Sequence, residues 1–150
     1  MRYFGADIIT AVKTIATNNL NPMLEIIKVE RGDTGLETIR KINVGIVERQ
    51  YPECVINLQD SILVEEELTL DLLNTPEVFP VEVLIVMKDN TDLIALRVEY
   101  YIEALQRIFN GYTDSKISWI SVKNSIRADA YTEQKETLKV AGILIDVRIL

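Results

Sequence analysis

Hydrophobic side chains recur at helical spacing close to the start of the chain. Ile8, Val12 and Ile15 lie at positions i, i+4 and i+7, which is the spacing of one face of an amphipathic helix. We therefore predict a helix over residues 5–17. We expect it to end at Asn18, because asparagine favours the positions just outside a helix.

The next segment predicts a second, short helix. Asn21 followed by Pro22 is typical of an N-cap with proline at the first helical position. Apolar residues then continue up to the triplet Arg31-Gly32-Asp33, where we expect this helix to end. A strand over residues 24–29 is the alternative interpretation. Residues 34–50 mix charges with a weak alternation, so we predict a loop there with at most one short strand.

Two buried strands are predicted in the middle of the chain. Proline disfavours helical geometry in the residue before it, so Tyr51-Pro52 indicates an extended start, and a β-favouring run over residues 53–59 follows. Residues 78–88 are almost continuously apolar, which is typical of a strand buried on one face and partly covered on the other. Pro80 is tolerable near the start of that strand, particularly at a sheet edge. Residues 65–76 are expected to be irregular or partly helical.

A long helix of about 20 residues is predicted next, spanning ~30 Å. Residues 89–92, Asp-Asn-Thr-Asp, offer capping side chains and an acidic first turn, and Asn110-Gly111 supplies a left-handed stop. Glu103 and Arg107 are spaced for an i,i+4 ion pair on the outer side. The predicted apolar face consists of Ile94, Val98, Tyr100, Tyr101, Leu105, Ile108 and Phe109.

The hydrophobic period then changes to two, which predicts a pair of antiparallel strands with a hairpin tip at residues 133–135. A bend is expected near Asn124, and Gly142 is a candidate bulge. On the first strand, one predicted face carries Ile120, Val122, Ile126, Ala128 and Ala130, and the other carries Trp119, Ser121, Lys123 and Arg127. On the last strand, the predicted buried face carries Ala141, Ile143, Ile145, Val147 and Ile149.

Together these elements predict an α+β fold in a single domain over residues 1–150. We expect a mainly antiparallel β-sheet with the long helix packed on one face and an N-terminal helix. Two-layer packing of this kind buries both the helix stripe and the alternating strand face. A chain of 150 residues with 48% hydrophobic residues has the size and composition of one packed domain.

Composition excludes several classes of function. Without histidine, the chain cannot supply a Ser-His-Asp triad, a Cys-His nucleophile or an HExxH zinc site. A net charge of −7 opposes binding to nucleic acid through a basic surface. Cys54, the single cysteine, lies in an apolar run and is expected to be a buried small hydrophobe, consistent with a reducing cytoplasm. We therefore predict that the protein is not an enzyme and binds no metal or cofactor.

Membrane partners are not expected. The first ten residues lack the basic start, apolar stretch and cleavage site of a signal peptide. The longest apolar run, residues 83–87, is far shorter than the ~20 residues that cross a bilayer.

Three consecutive carboxylates, Glu65, Glu66 and Glu67, are the candidate partner-binding residues. They lack the alternate spacing and the turning glycine of a metal-binding loop, so a solvated tip is the ordinary interpretation and contact with a basic partner the functional one. A less favoured alternative is that they hold a divalent cation in an enzyme or regulator.

Other motifs have ordinary structural explanations. Arg31-Gly32-Asp33 is too short to indicate adhesion in a chain without an export signal. Trp119, Tyr100 and Tyr101 lack the surrounding basic residues of a nucleic-acid surface, so we expect them in the core or in an interface.

The order of segments along the chain matches the pattern of one known family. LNPMLEIIKVERGD follows the N-terminal helix, and a Tyr-Pro step opens YPECVINLQDS. The strand VEVLIVMKDN precedes the tyrosine-rich helix IALRVEYYIEALQRIF, and ISWISVKNSIRADAY and KVAGILIDVRIL close the chain. These features resemble the tail terminator, or tail completion, proteins of long-tailed bacteriophages and phage-tail-like particles. The resemblance covers nearly the whole chain, and this family has no catalytic signature to match.

The resemblance implies a structural protein of the virion or of a phage-tail-like particle, assembled in the host cytoplasm. It implies a hexameric ring at the head-proximal end of the tail, which stops tube polymerisation and joins the tail to the neck. The implied partners are further copies of the chain and tail tube, sheath or neck and connector proteins. DNA is implied only as transiting cargo, since a negative charge repels phosphates. Another head-tail connector or neck ring is the alternative. Residues 34–49 have no assigned place in the family pattern.

Overall fold

The structure, a computed structural model, describes residues 5–59, 62–63, 77–89, 91–131 and 137–149. The described residues form two helices and six strands, which confirms the predicted α+β class. Their order is α1 (Gly5–Arg31), β1 (Lys41–Val44), β2 (Glu53–Leu58), β3 (Ile62–Leu63), β4 (Glu77–Met87), α2 (Ile94–Phe109), β5 (Ile117–Tyr131) and β6 (Thr137–Ile149).

The strands form one sheet in the order β1-β2-β4-β6-β5, and β3 pairs with β4. β1 and β2 are parallel, while all other paired strands are antiparallel. The predicted mainly antiparallel sheet is therefore confirmed. The predicted strands over residues 53–59 and 78–88 correspond to β2 and β4, and β1 is the one short strand in the stretch 34–50. The predicted connection over residues 65–76 and the hairpin tip at 133–135 lie outside the described residues.

Both helices cover the same face of the sheet. One hydrophobic cluster collects the inner stripe of each helix and alternate residues of the central strands, and α2 contacts β6 directly. The predicted packing of the α2 stripe against β6 is confirmed. The cluster includes Ile8, Val12, Ile15, Leu20, Leu24 and Ile27 from α1, Val98, Tyr101, Leu105 and Ile108 from α2, and Ile143, Ile145 and Val147 from β6.

The prediction of two N-terminal helices, or of a strand over residues 24–29, is wrong, because α1 is continuous through Pro22. Proline inside a helix costs about 3 kcal/mol. The buried stripe continues beyond it through Leu24 and Ile27, and burying each such side chain contributes about 1.5–3 kcal/mol. Burial of this second half of the stripe outweighs the proline penalty.

Asn21 is used for tertiary contact instead of capping. Its side-chain amide donates a hydrogen bond to the Ile39 carbonyl at 3.1 Å, and its side-chain oxygen accepts one from the Ile39 N–H at 2.7 Å. This reciprocal pair attaches the segment before β1 to the middle of α1.

α1 ends at the predicted triplet, in a Schellman motif. Gly32 has a left-handed φ of 65°, its N–H donates to the Val29 carbonyl, and the Asp33 N–H donates to the Lys28 carbonyl at 3.1 Å. These bonds satisfy carbonyls that the last helical turn leaves unpaired. Gly32 therefore terminates the helix, and the Arg31-Gly32-Asp33 triplet has a structural explanation.

α2 begins later than predicted and has 16 residues, because the polar residues before it form a separate turn. Asp89 Oδ1 accepts a hydrogen bond from the Thr91 N–H at 2.8 Å, and Thr91 Oγ1 accepts one from the Leu93 N–H at 3.3 Å. The predicted stop is confirmed, since Gly111 has a φ of 78°. The predicted ion pair between Glu103 and Arg107 is also confirmed, at 3.3 Å.

Pro80 lies on an inner strand, with β2 on one side of β4 and β6 on the other. Its carbonyl accepts a hydrogen bond from the Gln59 N–H at 2.9 Å, one residue beyond the end of β2. In an antiparallel strand the N–H and C=O of one residue point to the same side. The missing N–H of Pro80 therefore points past the end of β2, so an inner position is tolerated as well as an edge.

The predicted bulge at Gly142 is wrong, because Gly142 pairs regularly with Leu84 on one side and Ile126 on the other. A Cβ there would lie 2.7 Å from the Val83 carbonyl oxygen, so glycine is needed for close packing of neighbouring strands. The register shifts lie in β5 instead, between Ile117 and Trp119 and between Val122 and Asn124, and the second is a bulge at the position where a bend is predicted.

This bulge reverses the faces of β5, so the predicted single face from Ile120 to Ala130 is wrong. Val122 pairs with Ile145, whose side chain belongs to the helix-covered cluster, but Ile126 pairs with Gly142 and so faces the other side. One extra residue changes the alternation by one position. Arg127 consequently lies on the helix side, where its Nε donates to Glu99 of α2 at 2.8 Å.

The second face of the sheet carries a smaller apolar cluster, and both described helices lie on the opposite face. Its buried members are Val55, Val86, Leu138 and Val140. On the last strand, Ala141, Ile143, Ile145 and Val147 of the predicted buried face are buried, Ile149 is half-buried, and the opposite side is only partly covered.

Changing Leu105 to alanine should lower the free energy of unfolding by about 2–5 kcal/mol, because Leu105 is 0% exposed in the main cluster. Leu96→Ala on the same helix is the matched control. Leu96 is 51% exposed, so its loss should change stability by less than about 0.5 kcal/mol. Urea denaturation of both variants measures the difference, and equal effects would contradict the assignment of the core.

Candidate interaction surface

The carboxylates predicted to bind a partner, Glu65, Glu66 and Glu67, lie outside the described residues. Their role stays a prediction. Among the residues that the structure describes, no group of three or more histidine, cysteine, aspartate or glutamate side chains could hold a metal ion. Within the same residues, neither helix is long and apolar enough to cross a membrane.

Cys54 is buried, as predicted. Removal from water raises the pKa of its thiol to about 12, and the charge of neighbouring Glu53 acts in the same direction. The thiol is therefore protonated at neutral pH. A protonated, buried thiol is a poor nucleophile and a poor metal ligand.

The three aromatic residues considered together in the sequence lie apart. Tyr101 is buried in the main core, and its hydroxyl donates a hydrogen bond to the Glu37 carbonyl at 2.7 Å. Tyr100 packs partly against the core, with the Arg31 guanidinium 5.8 Å from its ring centroid. Trp119 pairs with Arg148 and is 57% exposed. They do not form one stacking surface.

Arg97 is the centre of an ionic cluster at one end of α2. Its Nε and one terminal nitrogen bind the two carboxylate oxygens of Asp33 at 2.9 and 3.0 Å. Its other terminal nitrogen binds Asp89 at 2.7 Å. A Cβ on Gly35 would collide with this guanidinium, so glycine allows the turn after α1 to pass close by. The cluster joins α2 to the turns that follow α1 and β4.

The electrostatics of this cluster follow from its pairing. The hydrogen bond from Arg97 lowers the pKa of Asp33. Burial acts to raise the pKa of Asp89, but hydrogen bonds from Thr91 and Arg97 together hold it below its usual value. The hydrogen bond with Asp33 raises the pKa of Arg97. All three groups are therefore charged at neutral pH.

A cavity of about 250 Å³ lies beside this cluster, lined by Glu37, Met87, Lys88 and Tyr101 as well as Arg97. The guanidinium directs its donors to Asp33 and Asp89 of the same chain. The cluster therefore holds three segments of the fold together.

Exposed apolar side chains occur at the ends of β1 and β2 and on the loop that leads from β1 back to β2. Val44 and Leu58, the last residues of these strands, are 41% and 38% exposed. Ile46 and Val47 follow directly after β1 and are 57% and 49% exposed. Grouped exposed apolar residues are typical of a protein–protein contact. We call these four residues the apolar patch.

The segment that carries half of the apolar patch is held in place by a buried carboxylate. Glu53, at the start of β2, is 0% exposed and accepts hydrogen bonds from the Glu48 N–H at 2.8 Å and the Gln50 N–H at 3.1 Å. Gly45 has a φ of 72°, and its N–H donates to the Ile56 carbonyl at 3.0 Å. These contacts order the loop in the free chain, so binding through it requires little further ordering.

Sequence reasoning missed this surface, because residues 34–50 show no clear period. Two signals mark it in retrospect. Gly45 lies between apolar residues, and the residues that follow it show no strand pattern. Glu53 is a charged residue at the start of an otherwise apolar strand. A carboxylate at that position needs nearby donors, and the preceding loop provides them.

Glu53→Ala should destabilise the protein by about 1.5–3 kcal/mol, because two backbone N–H groups lose a charged acceptor. The loop over residues 45–50 should also become a preferred site of limited proteolysis. Glu48→Ala is the control, since Glu48 is exposed and its nearest cation, Lys41, is 3.9 Å away. Equal proteolysis of the two variants would contradict the anchoring role of Glu53.

The Arg97 cluster should make stability depend on acid pH. The folded-state pKa of Asp33 is lowered, so its contribution is present above the usual aspartate pKa and is lost as pH falls through the folded value. Asp33→Asn should therefore reduce the difference between urea midpoints measured at about pH 7 and about pH 3. Asp92→Asn, at an exposed position near the same cluster, should leave that difference unchanged. An Asp33→Asn variant that kept the full wild-type difference would contradict this assignment.

Comparison with known proteins leaves the family open. No family model matches the chain, and no curated protein matches it either. Among solved structures, the chain is similar to a protein from the virion of a native gene transfer agent particle, at 6% identity and a TM-score of 0.47. The match covers 88% of this chain and 92% of that one. At this identity and TM-score, the similarity assigns neither a family nor a function.

Proposed function

We propose that this chain is a structural protein of a phage tail or phage-tail-like particle. In this proposal it forms a ring, hexameric as in the family it resembles, at the head-proximal end of the tail. The ring ends polymerisation of the tail tube and joins the tail to the neck. The role is structural, without catalysis, metal or cofactor.

The observation that carries an assembly role is the apolar patch. Val44 and Leu58 expose apolar surface at the ends of β1 and β2, Ile46 and Val47 expose it on the loop after β1, and Glu53 holds that loop in a defined shape. Exposed apolar side chains on an ordered loop favour contact with another protein surface. Arg97, the most buried cation in an ion pair of the described residues, is occupied within the fold. These features favour binding over catalysis.

The order of elements supports the choice among assembly proteins. The resemblance to tail terminators depends on an N-terminal helix, a strand after Tyr51-Pro52, an apolar strand leading into a helix, and two closing strands. The described elements α1, β2, β4, α2, β5 and β6 follow that order. The net charge of −7 is compatible with a ring through which DNA passes, because repulsion from phosphates disfavours adhesion.

Assembly with tail-tube protein tests this function. Negative-stain images of the purified chain mixed with tube protein should show a ring at one end of each tube, and tube growth at that end should stop. A chain that stays monomeric and leaves tube length unchanged would overturn the proposal. Rings that bind neck or portal protein but ignore tubes would favour the alternative of another connector ring.

If the predicted solvated tip holds, changing Glu65, Glu66 and Glu67 together to alanine should alter the free energy of unfolding, measured with urea, by less than about 0.5 kcal/mol. The same triple variant should join less efficiently to its partner, because a basic contact surface loses three opposing charges. A glutamine triple variant separates charge from side-chain size. Unfolding by the triple change, or micromolar binding of Mg²⁺, Ca²⁺ or Mn²⁺ that it abolishes, would contradict the partner role.

A further inference from the structure

Each copy of this chain has two different open sheet edges through which it can contact another copy. β1 and β5 are the outermost strands, and each pairs with one neighbour among the described residues. We propose that β1 of one copy pairs with the second half of β5 of the next copy, so that a continuous sheet runs from subunit to subunit. This inference rests on the proposed assembly function and names the surfaces that form the contact.

The first half of β5 is already covered by its own chain. The Ile120 N–H donates to the Tyr112 carbonyl at 3.0 Å, and the Ile120 carbonyl accepts from the Gly111 N–H at 2.8 Å. The Val122 N–H donates to Asn110 Oδ1 at 3.3 Å. The loop between α2 and β5 therefore occupies this part of the edge, and no further strand fits there.

The second half of β5 is an open edge. Even-numbered β6 residues direct their backbone N–H and C=O groups towards β5. The β5 residues paired with them beyond the bulge are also even-numbered, for example Ile126 and Ala128. Alternation then directs the backbone groups of Ser125, Arg127 and Asp129 outward. Within the described ranges, none of these three takes part in a backbone hydrogen bond on the outer side. Residues 124–131 therefore offer a free ladder of donors and acceptors.

β1 is the matching edge. It bonds to β2 on one side, and the apolar patch extends from its end. Asn43, in the middle of β1, is 6% exposed, and its side-chain Nδ2 has no hydrogen-bond partner among the described residues. This side chain is already covered by its own chain, so an adjoining strand would leave it unchanged. Such a strand would give apolar cover to the exposed Ile46 and Val47.

Strand directions make a second copy the fitting occupant. β1 and β2 run in one direction, β4 in the opposite one, β6 in the first, and β5 in the opposite one again. If the next copy keeps the same orientation, its β1 runs antiparallel to β5 of the first. Antiparallel pairing is the more stable arrangement, and it keeps the helices of both copies on one face.

Joining two different edges makes the contact heterologous, and a heterologous contact repeats until it closes a ring or extends a filament. Self-pairing of two β5 strands about a two-fold axis is the alternative. It would leave the apolar patch of both copies uncovered. Head-to-tail pairing covers both edges of every copy in a ring.

Two variants that each block one edge test the proposal. Ile46→Lys with Val47→Lys places charges on the β1 side, with the exposed apolar pair Ile26→Lys and Val29→Lys on α1 as control. Asp129→Pro removes an outward N–H from β5 and fills the edge with a ring. Asp129→Ala is its control, because both changes lose the ion pair with Lys139 but alanine keeps the N–H. Urea midpoints verify that each variant is folded.

Sedimentation at up to ~1 mM protein detects self-association even when its Kd is in the millimolar range. Wild type and both controls should self-associate, and each blocked variant should do so at least about tenfold more weakly. An equimolar mixture of the two blocked variants should form a heterodimer, because it contains one open β1 and one open β5. Amide exchange in that heterodimer should slow at residues 125, 127 and 129 of the β1-blocked copy.

Three results would overturn edge pairing: a wild type that stays monomeric at this concentration, a β1-blocked variant that dimerises alone, and a mixture that stays monomeric. The second would indicate symmetric β5 pairing. If blocked variants still formed rings on tail tubes, the proposed function would be supported and pairing through these two edges would be refuted. Wild-type pairing by these edges without any engagement of tubes would refute the proposed function alone.

Discussion

Packing of both helices against one face of the sheet is the constraint on which the rest of the structure depends. The stripes of α1 and α2 meet the inner residues of β4 and β6, and these surfaces form one continuous core. Because both described helices use the same face, the other face and the two outer strands are left to smaller contacts. The fold therefore separates a side that provides stability from edges that are free to contact partners.

Strong periodicity made the central elements predictable. β4 and β6 are apolar on the alternate positions that the helices cover, and the α2 stripe has a clear helical period, so their type and mutual packing followed from the sequence. The break predicted in α1 failed for a tertiary reason. Pro22 and Asn18 are local helix-breaking signals, but the buried stripe on both sides of them contributes more than they cost.

Interactions between distant residues account for what the sequence did not predict. Glu53 organises the loop before β2 through backbone donors, and Arg97 binds Asp33, which is 64 positions away in sequence. Neither pairing leaves a periodic pattern, because backbone donors are present at every residue and single charges are common on surfaces. The apolar patch was likewise hidden, since exposure of Ile46 and Val47 depends on the course of the loop. The acidic run from Glu65 to Glu67 stays a prediction from composition.

The bulge at residue 123 has a consequence for how the hairpin of β5 and β6 can vary in length. Between the bulge and the tip, every residue pair has a fixed face, with Arg127 towards α2 and Ile126 away from it. A change of one residue in β5 there would exchange these faces and direct Arg127 away from Glu99. Two residues added to each strand would preserve them. Between the bulge and Arg127, the length of β5 can therefore change only by two residues at a time if the contact with α2 is to be kept.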